Sequence, residues 1–587
     1  MRGVSKSFEK KGGLARLMAA KAIKADMAII NGKVITVDKN FSIRETIAVR
    51  DGKIIAVGRN DDVKGVIGPK TEVLDLKGKT VLPGINDSHL HGASLGGIKP
   101  PLGLDLSYPK VKSIRDIADE LRRKIETVHK GEWIRGFGWD PGYLEECKSD
   151  PRRIPRKWDV DPVSPDNPVV LTDFSFHNLL ANSKALEMAG ISKETPDPEG
   201  GEIERDPDTG EPTGIFKELS AIGLVSKVIP PYTRDQKREA ILSAMRELNA
   251  EGITSFTEPG LGPGGDAFQG GLMGRDCSDI YRELHNEKKL TARVNIMLLF
   301  GEYGGLSFKD LQEGLWNYQV IPGLDREWLR IAQVKIFADG IPPTKTAWMY
   351  EEYRSGGNGQ LVFRGKTEQD RYNELMDMIA YAHNHRFQVG IHATGDRAID
   401  ACVEGYVRAT EKDPWDARHY VIHGDFTTQE SITRMAAYKI GANVQTVVKW
   451  TISDYMENLI GKERSAWQWP LRSMLDAGVH IAASSDAPTM PIDWKLGIQA
   501  AVLRESKATG RVSGPEQRIS REEAIHAYTM GGAWQDHMDQ VKGSIEEGKL
   551  GDFCILDGDI LSVEAHEIKD IRNLITVVGG RIVYDAR

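Results

Sequence analysis

With 587 residues, 40% of them apolar and 28% charged, the chain has the make-up of a globular protein with a large core, which excludes a disordered, collagen-like or coiled-coil molecule. Its 77 basic and 85 acidic side chains leave a net charge of −8, so no overall field draws in nucleic acid. Four scattered cysteines, Cys147, Cys277, Cys402 and Cys554, form neither a disulfide framework nor a metal knuckle, and no apolar run reaches the length of a membrane span, so a cytoplasmic protein is expected.

The first 25 residues are basic, with Arg2, Lys6, Lys10, Lys11, Arg16, Lys21 and Lys24 against Glu9. They lack the apolar segment and small-residue cleavage site of a secretory signal and read as an N-terminal extension. Residues 26–82 are β-rich and turn-punctuated, in DMAIINGKVITVD, ETIAVRDGKIIAVG and TEVLDLKGKTVLPG, with Asn-Gly and Asp-Gly pairs suited to tight hairpins. The same style returns over 541–587 in GDFCILDGD and LITVVGGRIVYDAR, so the two ends are expected to build one small β-sandwich.

Between them, residues 83–540 alternate short apolar runs with amphipathic helices. The runs are VLPGIND, GITSFTEP, ARVNIMLLF, LRIAQVKIFADG, FQVGIHA, HYVIHG, IGANVQTVV and VHIAASSDAP, eight in all. In TRDQKREAILSAMRELNAEG, Ile241, Leu242, Met245 and Leu248 share one helical face. Eight strands alternating with helices predict an α/β fold, a (β/α)8 barrel of the TIM type. The long gap after the first run, about residues 131–220 and rich in Pro, Gly and Asp, reads as an insertion at the catalytic face.

Several runs carry a potential metal ligand near the C-terminal end, where barrel active sites lie. The first supplies His89 and His91, whose side chains share one side if the backbone is extended. Alone, an HxH pair is as readily an accidental surface pair. His392, His423 and Asp486 follow the fifth, sixth and eighth runs, and the whole set points to zinc or a similar cation. Lys335 lies inside the fourth run, between Val334 and Ile336, where an ammonium is costly unless paired or neutralised. It either reaches solvent or Asp339, or is carboxylated by CO2 to a carbamate that bridges two cations. Spacing alone does not choose between these.

The chain resembles the amidohydrolase superfamily in VLPGINDSHLHG and KGSIEEGKLGDFCILDGD. It is similar to the branch that includes N-substituted formamide deformylase in GEWIRGFGWDPG, HNLLANSKALEMAGI, PEGGEIERDPDTGEPTGIFKE, VKIFADG, IHATGDRAID and SSDAPTMPID. The resemblance runs from about residue 26 to the end. It implies a barrel with a composite β-sandwich and a centre of one or two metal ions, usually zinc. By that resemblance His89, His91 and Asp486 hold the more buried ion. The carbamate of Lys335 bridges to a second ion completed by His392 and His423. Two departures stand out: Ile422 precedes the sixth-run histidine where relatives often have Glu, and VQTVVKW replaces a VQP-type continuation.

Weaker candidates have an ordinary structural alternative beside each functional one. Asp87 either orients an imidazole or caps a turn. His177 either polarises a substrate carbonyl or is a loop residue. Trp139 and Asp140 are candidate pocket wall, although a Gly-flanked Trp is often core. Gln445 ends the seventh run within reach of a ligand. His383, His385, His419 and His526 read as structural, and His480 starts a strand at the wrong end for catalysis.

The function expected is hydrolysis of a non-peptide C–N bond, an amide, N-acyl or N-formyl group of a small molecule, by attack of metal-bound hydroxide with Asp486 as general base and then acid. The cofactor expected is Zn2+, two ions rather than one, with Lys335 carboxylated. An ester or lactone hydrolase, a deaminase, and a non-catalytic scaffold that has lost its metals are the alternatives. A scaffold should lack several ligands, and here the whole set is present. No nucleic-acid or membrane partner is expected, and a homo-oligomer is compatible with the sequence.

Overall fold

The computed structural model describes residues 24–587 except 151–152, 175, 177, 199–201, 267, 301–306 and 318–324. The basic extension and His177 therefore lie outside the described residues, apart from Lys24 and Ala25. Eight strands form one parallel sheet in sequential order: Ile85–Asp87, Ile253–Leu261, Arg293–Leu298, Leu329–Phe337, Gln388–Ala393, Tyr420–His423, Gly441–Val444 and Ile481–Ala483. The ends of this sheet meet: the Ser88 N–H points at Ala483 O, and the Asp486 N–H donates to His89 O at 2.9 Å. The barrel is thus nearly closed.

The helices between the strands follow local rules. Thr233 caps Arg234–Ala250 in a reciprocal box with Gln236, and Ile241, Ala244, Met245 and Leu248 are buried against the sheet. Leu242 lies at the edge of that face and is only partly buried. Thr367 caps Glu368–Asn384 in the same way through Asp370, and Leu375, Met378, Ile379 and Ala382 face inward. Val334 and Ile336 belong to the same apolar core as these helices, which fixes the intervening Lys335 on the barrel side of its strand.

Two runs divide differently from the sequence pattern. VLPGIND is split: Thr80–Pro83 pairs with Phe553–Leu556, whereas Ile85–Asp87 opens the barrel. Gly84 turns the chain between the sheets, and a Cβ there would lie 2.0 Å from Thr254 Oγ1, so only glycine fits. In IGANVQTVV the strand stops at Val444 and a helix, Thr446–Ile460, begins. Short β-branched runs do not distinguish a buried strand from the first turn of a buried helix.

Two small sheets draw on the early and late parts of the chain. Met27–Ile30, Thr46–Arg50, Lys53–Gly58 and Glu72–Asp75 make one; Lys33–Ile35, Ile43–Arg44, Thr80–Pro83, Phe553–Leu556, Asn573–Val578 and Arg581–Asp585 make the other. Met27, Ile47, Val81, Phe553 and Ile575 share one apolar cluster. A further six-stranded sheet lies between the first and second barrel strands, from Leu104–Asp105 to Pro212–Lys217, so this inserted sheet begins ahead of residue 131. Among the described residues no helix is long and apolar enough to cross a membrane.

Candidate metal centre

The first barrel strand ends at Asp87, so His89 and His91 occupy the bend after it rather than extended backbone. Three backbone hydrogen bonds pin that bend to its neighbours: Leu90 N–H to Thr257 O, His91 N–H to Ala487 O, and Asp486 N–H to His89 O. The two imidazoles still meet, edge to face, with ring centres 5.5 Å apart. His89 Nε2 and His91 Nε2 lie 3.4 and 3.6 Å from Asp486 Oδ1. Ligand atoms of these three residues all fall within 4.8 Å of one another.

The other ring pair sits alongside. The His423 ring centre is 5.6 Å from that of His89 and 4.6 Å from that of His392. His423 and Asp486 both adopt left-handed backbone, with φ of 72° and 58°, which is unfavourable for residues with a Cβ. The strain at His423 is held by its neighbours: the buried Trp469 indole donates to His423 O at 2.8 Å, and Gly424 N–H to Ala393 O. Lys335 is buried, with its ammonium 4.7 Å over the Phe337 ring. It is close enough to His89, His91, His392 and His423 to disfavour their protonation.

Electrostatics leaves the donor set ready for a cation. Burial lowers His91 to about 4, against the pull of Asp486, and lowers His392 to about 4 with help from Lys335. His89 and His423 are driven well below the ordinary imidazole range, first by burial. All four rings are therefore neutral at pH 7, the form that binds metal. Burial also lowers Lys335 to about 7, partly opposed by Asp486. Both ring nitrogens of His89 and Nδ1 of His91 are buried without a hydrogen-bond partner. An unpaired buried polar atom costs about 1–3 kcal/mol, and on His89 Nε2, which faces Asp486, a divalent cation would use the lone pair. Imidazoles, a carboxylate and a buried lysine fit zinc or a similar ion.

The remaining candidates fall in other places. Asp87 does not touch an imidazole. Its carboxylate accepts from Ser485 N at 3.1 Å and, at longer range, from His89 N, so it ties the eighth-strand loop to the first, and burial raises it to about 7. Trp139 is not a pocket wall: it is fully buried in the inserted unit's own core, and its indole donates to Leu171 O at 2.9 Å. Asp140 is half-buried at a turn, accepts from Gly142 N and lies near Lys507. Gln445 is fully buried and bonds His423 instead of reaching open space. His383 and His419 form a buried pair 2.8 Å apart, and His480 stacks on Trp534.

Asp339 is a residue whose role the sequence pattern did not expose. It does not pair with Lys335. Its carboxylate accepts from Trp348, Thr394 and Gly395 N–H groups and joins the fourth-strand loop to the fifth, with Oδ1 3.9 Å from His392 Nε2. Only the DG after the fourth run hinted at it. The inserted unit meets the barrel through Tyr143, whose ring lies 4.5 Å from Lys507 Nζ, while the same ammonium is 5.5 Å from the Trp450 ring.

The fold is an eight-stranded parallel barrel with a candidate metal centre at one end. Residues 72–584 match the amidohydrolase family, and the chain belongs to it: it is an enzyme of a class that hydrolyses carbon–nitrogen bonds. The chain is 29% identical over 566 residues to N-substituted formamide deformylase of Arthrobacter pascens, covering 95% of this chain and 98% of that protein. It is 30% identical over 574 residues to the protein LONG AFTER FAR-RED 3 of Arabidopsis thaliana, covering 97% and 94%. An uncharacterized metal-dependent hydrolase from Pyrococcus furiosus superposes with a TM-score of 0.68 at 26% identity, over 91% of this chain and 100% of that one.

Proposed function

We propose that the enzyme hydrolyses the amide, N-acyl or N-formyl C–N bond of a small molecule. The observation that carries this reading is a set of four neutral imidazoles, three of their buried nitrogens unpaired, gathered beside Asp486 and Lys335. His89, His91 and Asp486 would hold one divalent cation, zinc by preference, and His392 and His423 a second. When bound, such ions acidify water and polarise a carbonyl.

Asp486 is suited to move the proton. Its side chain keeps 15% exposure, so it faces both the histidines and the open mouth. It takes the proton from attacking water, and as the C–N bond breaks it delivers that proton to the leaving nitrogen. As a carbamate Lys335 would offer an anionic oxygen ligand to such ions: its ammonium first gives up one proton, the neutral amine nitrogen then bonds to the carbon of CO2 and loses a second proton to solvent, and the buried cation becomes an anion. An ammonium so close to two cations would be strongly repelled in this desolvated interior. The inserted sheet would shape the pocket from its side of the mouth, where Tyr143 meets Lys507. We read the two small sheets as one composite β-sandwich built from 26–82 and 541–587, residues 83–540 as the barrel, the location as cytoplasmic and the partner as a small-molecule substrate.

Amine release from a panel of N-formyl and N-acyl amines tests the activity. Turnover should vanish with a chelator and return with Zn2+; turnover of esters or lactones alone would favour that second reading, since the same attack serves either carbonyl. In Lys335→Ala, metal content and turnover should fall together. A full metal complement with near-normal activity would replace the bridge with a one-ion mechanism centred on Asp486.

A further inference from the structure

The two histidines after the fifth and sixth strands each have one ring nitrogen engaged by the protein. His392 Nε2 lies 3.0 Å from Gly340 O. A backbone carbonyl only accepts, so Nε2 carries the proton and Nδ1 keeps its lone pair. His423 does the reverse, with Nδ1 2.7 Å from the side-chain oxygen of Gln445.

An amide can be turned end for end, so the sense of this last bond has to be established. A chain of buried amides settles it. Asn443 Nδ2 is 3.0 Å from the backbone oxygen of Ser88 and 2.8 Å from Gln535 Oε1. Gln535 is itself oriented by the same carbonyl, which its Nε2 meets at 2.9 Å. Turning Asn443 would set two oxygens against each other, so its Oδ1 must face the other way, where it accepts from Ser484 Oγ and from Gln445 Nε2 at 2.8 Å each. Gln445 Nε2 also meets Ser484 Oγ at 2.9 Å. The side-chain oxygen of Gln445 is thereby turned to His423, which donates from Nδ1–H. Direction passes from one backbone carbonyl, beside His89, through two amides to the ring of His423.

We propose that Gln445 is a positioning residue that fixes His423 as the Nδ1–H tautomer, so that His423 meets a cation through Nε2 while His392 does so through Nδ1. The inference rests on reading the cluster as a metal centre and specifies how its second half is prepared before any ion arrives. His89 has no such partner on either nitrogen. Partners of this kind set ring orientation, and their loss typically lowers metal affinity about 10–100-fold.

The test uses the full cation-free chain with 15N-labelled histidine, in which long-range 1H–15N spectra separate protonated from bare ring nitrogens. His423→Asn assigns the signal. In the wild type His423 should show a proton on Nδ1 alone, and Gln445→Met should yield a mixture of tautomers. Competition with a coloured chelator should then show the weaker of two Zn2+ sites losing about 10–100-fold in affinity in Gln445→Met, with the tighter site unchanged. A wild-type His423 protonated on Nε2 would overturn the proposal, whether or not Gln445→Met folds. So would Gln445→Met with unchanged tautomer and unchanged Zn2+ affinity. Protonation at Nδ1 in a chain that binds no Zn2+ would support the hydrogen-bond chain and overturn the metal reading, so the two fail separately.

Discussion

The two ends of the barrel interior both bury charge, and they treat it in opposite ways. In the N-terminal half, Asp536 is surrounded by donors: Thr257 and Asn295 reach one oxygen, at 3.1 and 2.9 Å, while Asn86 and Lys542 reach the other, at 3.0 and 2.7 Å. Burial pushes that carboxyl up, yet Lys542 and the donors hold it below the usual range. Only the amide oxygens of Asn86 and Asn295 lack a donor there. At the mouth, His89 leaves both imidazole nitrogens unpaired and His91 leaves one. A buried polar cluster whose charged groups are bonded by donors is structural; one that leaves an imidazole nitrogen facing a carboxylate without a partner, as His89 Nε2 faces Asp486, is built for something that binds.

The contrast can be broken by changing one residue at each end. At the mouth, Asp486→Asn should lower turnover by about 10²–10⁴-fold, the range for loss of a proton-transfer group, while the melting temperature of the cation-free protein stays close to wild type. Steady-state kinetics and calorimetry on the same preparation read both. In the lower half, Lys542→Met should cost about 3–5 kcal/mol, because it removes the ammonium bonded to the buried Asp536 and leaves it the longer-range pull of Arg330 alone. Denaturant titration measures that loss, and Zn2+ bound per folded chain should not change. If the two variants exchanged these signatures, the division of roles would be wrong.

Glu258 sharpens the comparison through pH. It lies beside the His91 bend and accepts from Tyr281 O–H at 2.6 Å and from Ala93 N–H at 3.1 Å, with its other oxygen unpaired. Burial raises it to about 7, against these donors. The folded protein therefore keeps a proton that the unfolded chain releases above its ordinary value of 4.5, and stability is lost as pH rises from there to 7. Glu258→Gln keeps the acceptor and removes the ionisation. Its advantage over wild type should be absent at pH 4, grow through that window and level off above pH 7, at up to about 3 kcal/mol. A pH-independent difference in cation-free protein would show that Glu258 is not the titrating group.

The smallest effect is expected at Trp139. Trp139→Phe removes one buried hydrogen bond, to Leu171 O, and should cost about 1–2 kcal/mol. KM should not move, because the indole lies in the core of the inserted unit.

Much of this arrangement was legible in the sequence, because strand period and chain order place residues such as Lys335, His392 and His423 at one end of a barrel. The bend that carries His89 and His91 was not, since local pattern gave extended backbone and the turn is imposed by hydrogen bonds to the second and eighth strands. The same limit applies to Trp139 and Gln445. Each was visible as a residue near the site, but whether a side chain faces a cavity or a neighbouring amide depends on residues distant in the chain, here Leu171 for one and Asn443 and Ser484 for the other. Asp339 was hidden for the same reason, its partners arriving from two later loops.

Elemental analysis of the purified chain beside a His89→Ala/His91→Ala variant tests the central claim most directly. The wild type should carry one or two equivalents of a divalent cation, zinc foremost, and the double variant should lose at least one of them along with hydrolysis while remaining folded. A folded wild-type chain that holds no cation and still hydrolyses its substrate in the presence of a chelator would contradict the claim.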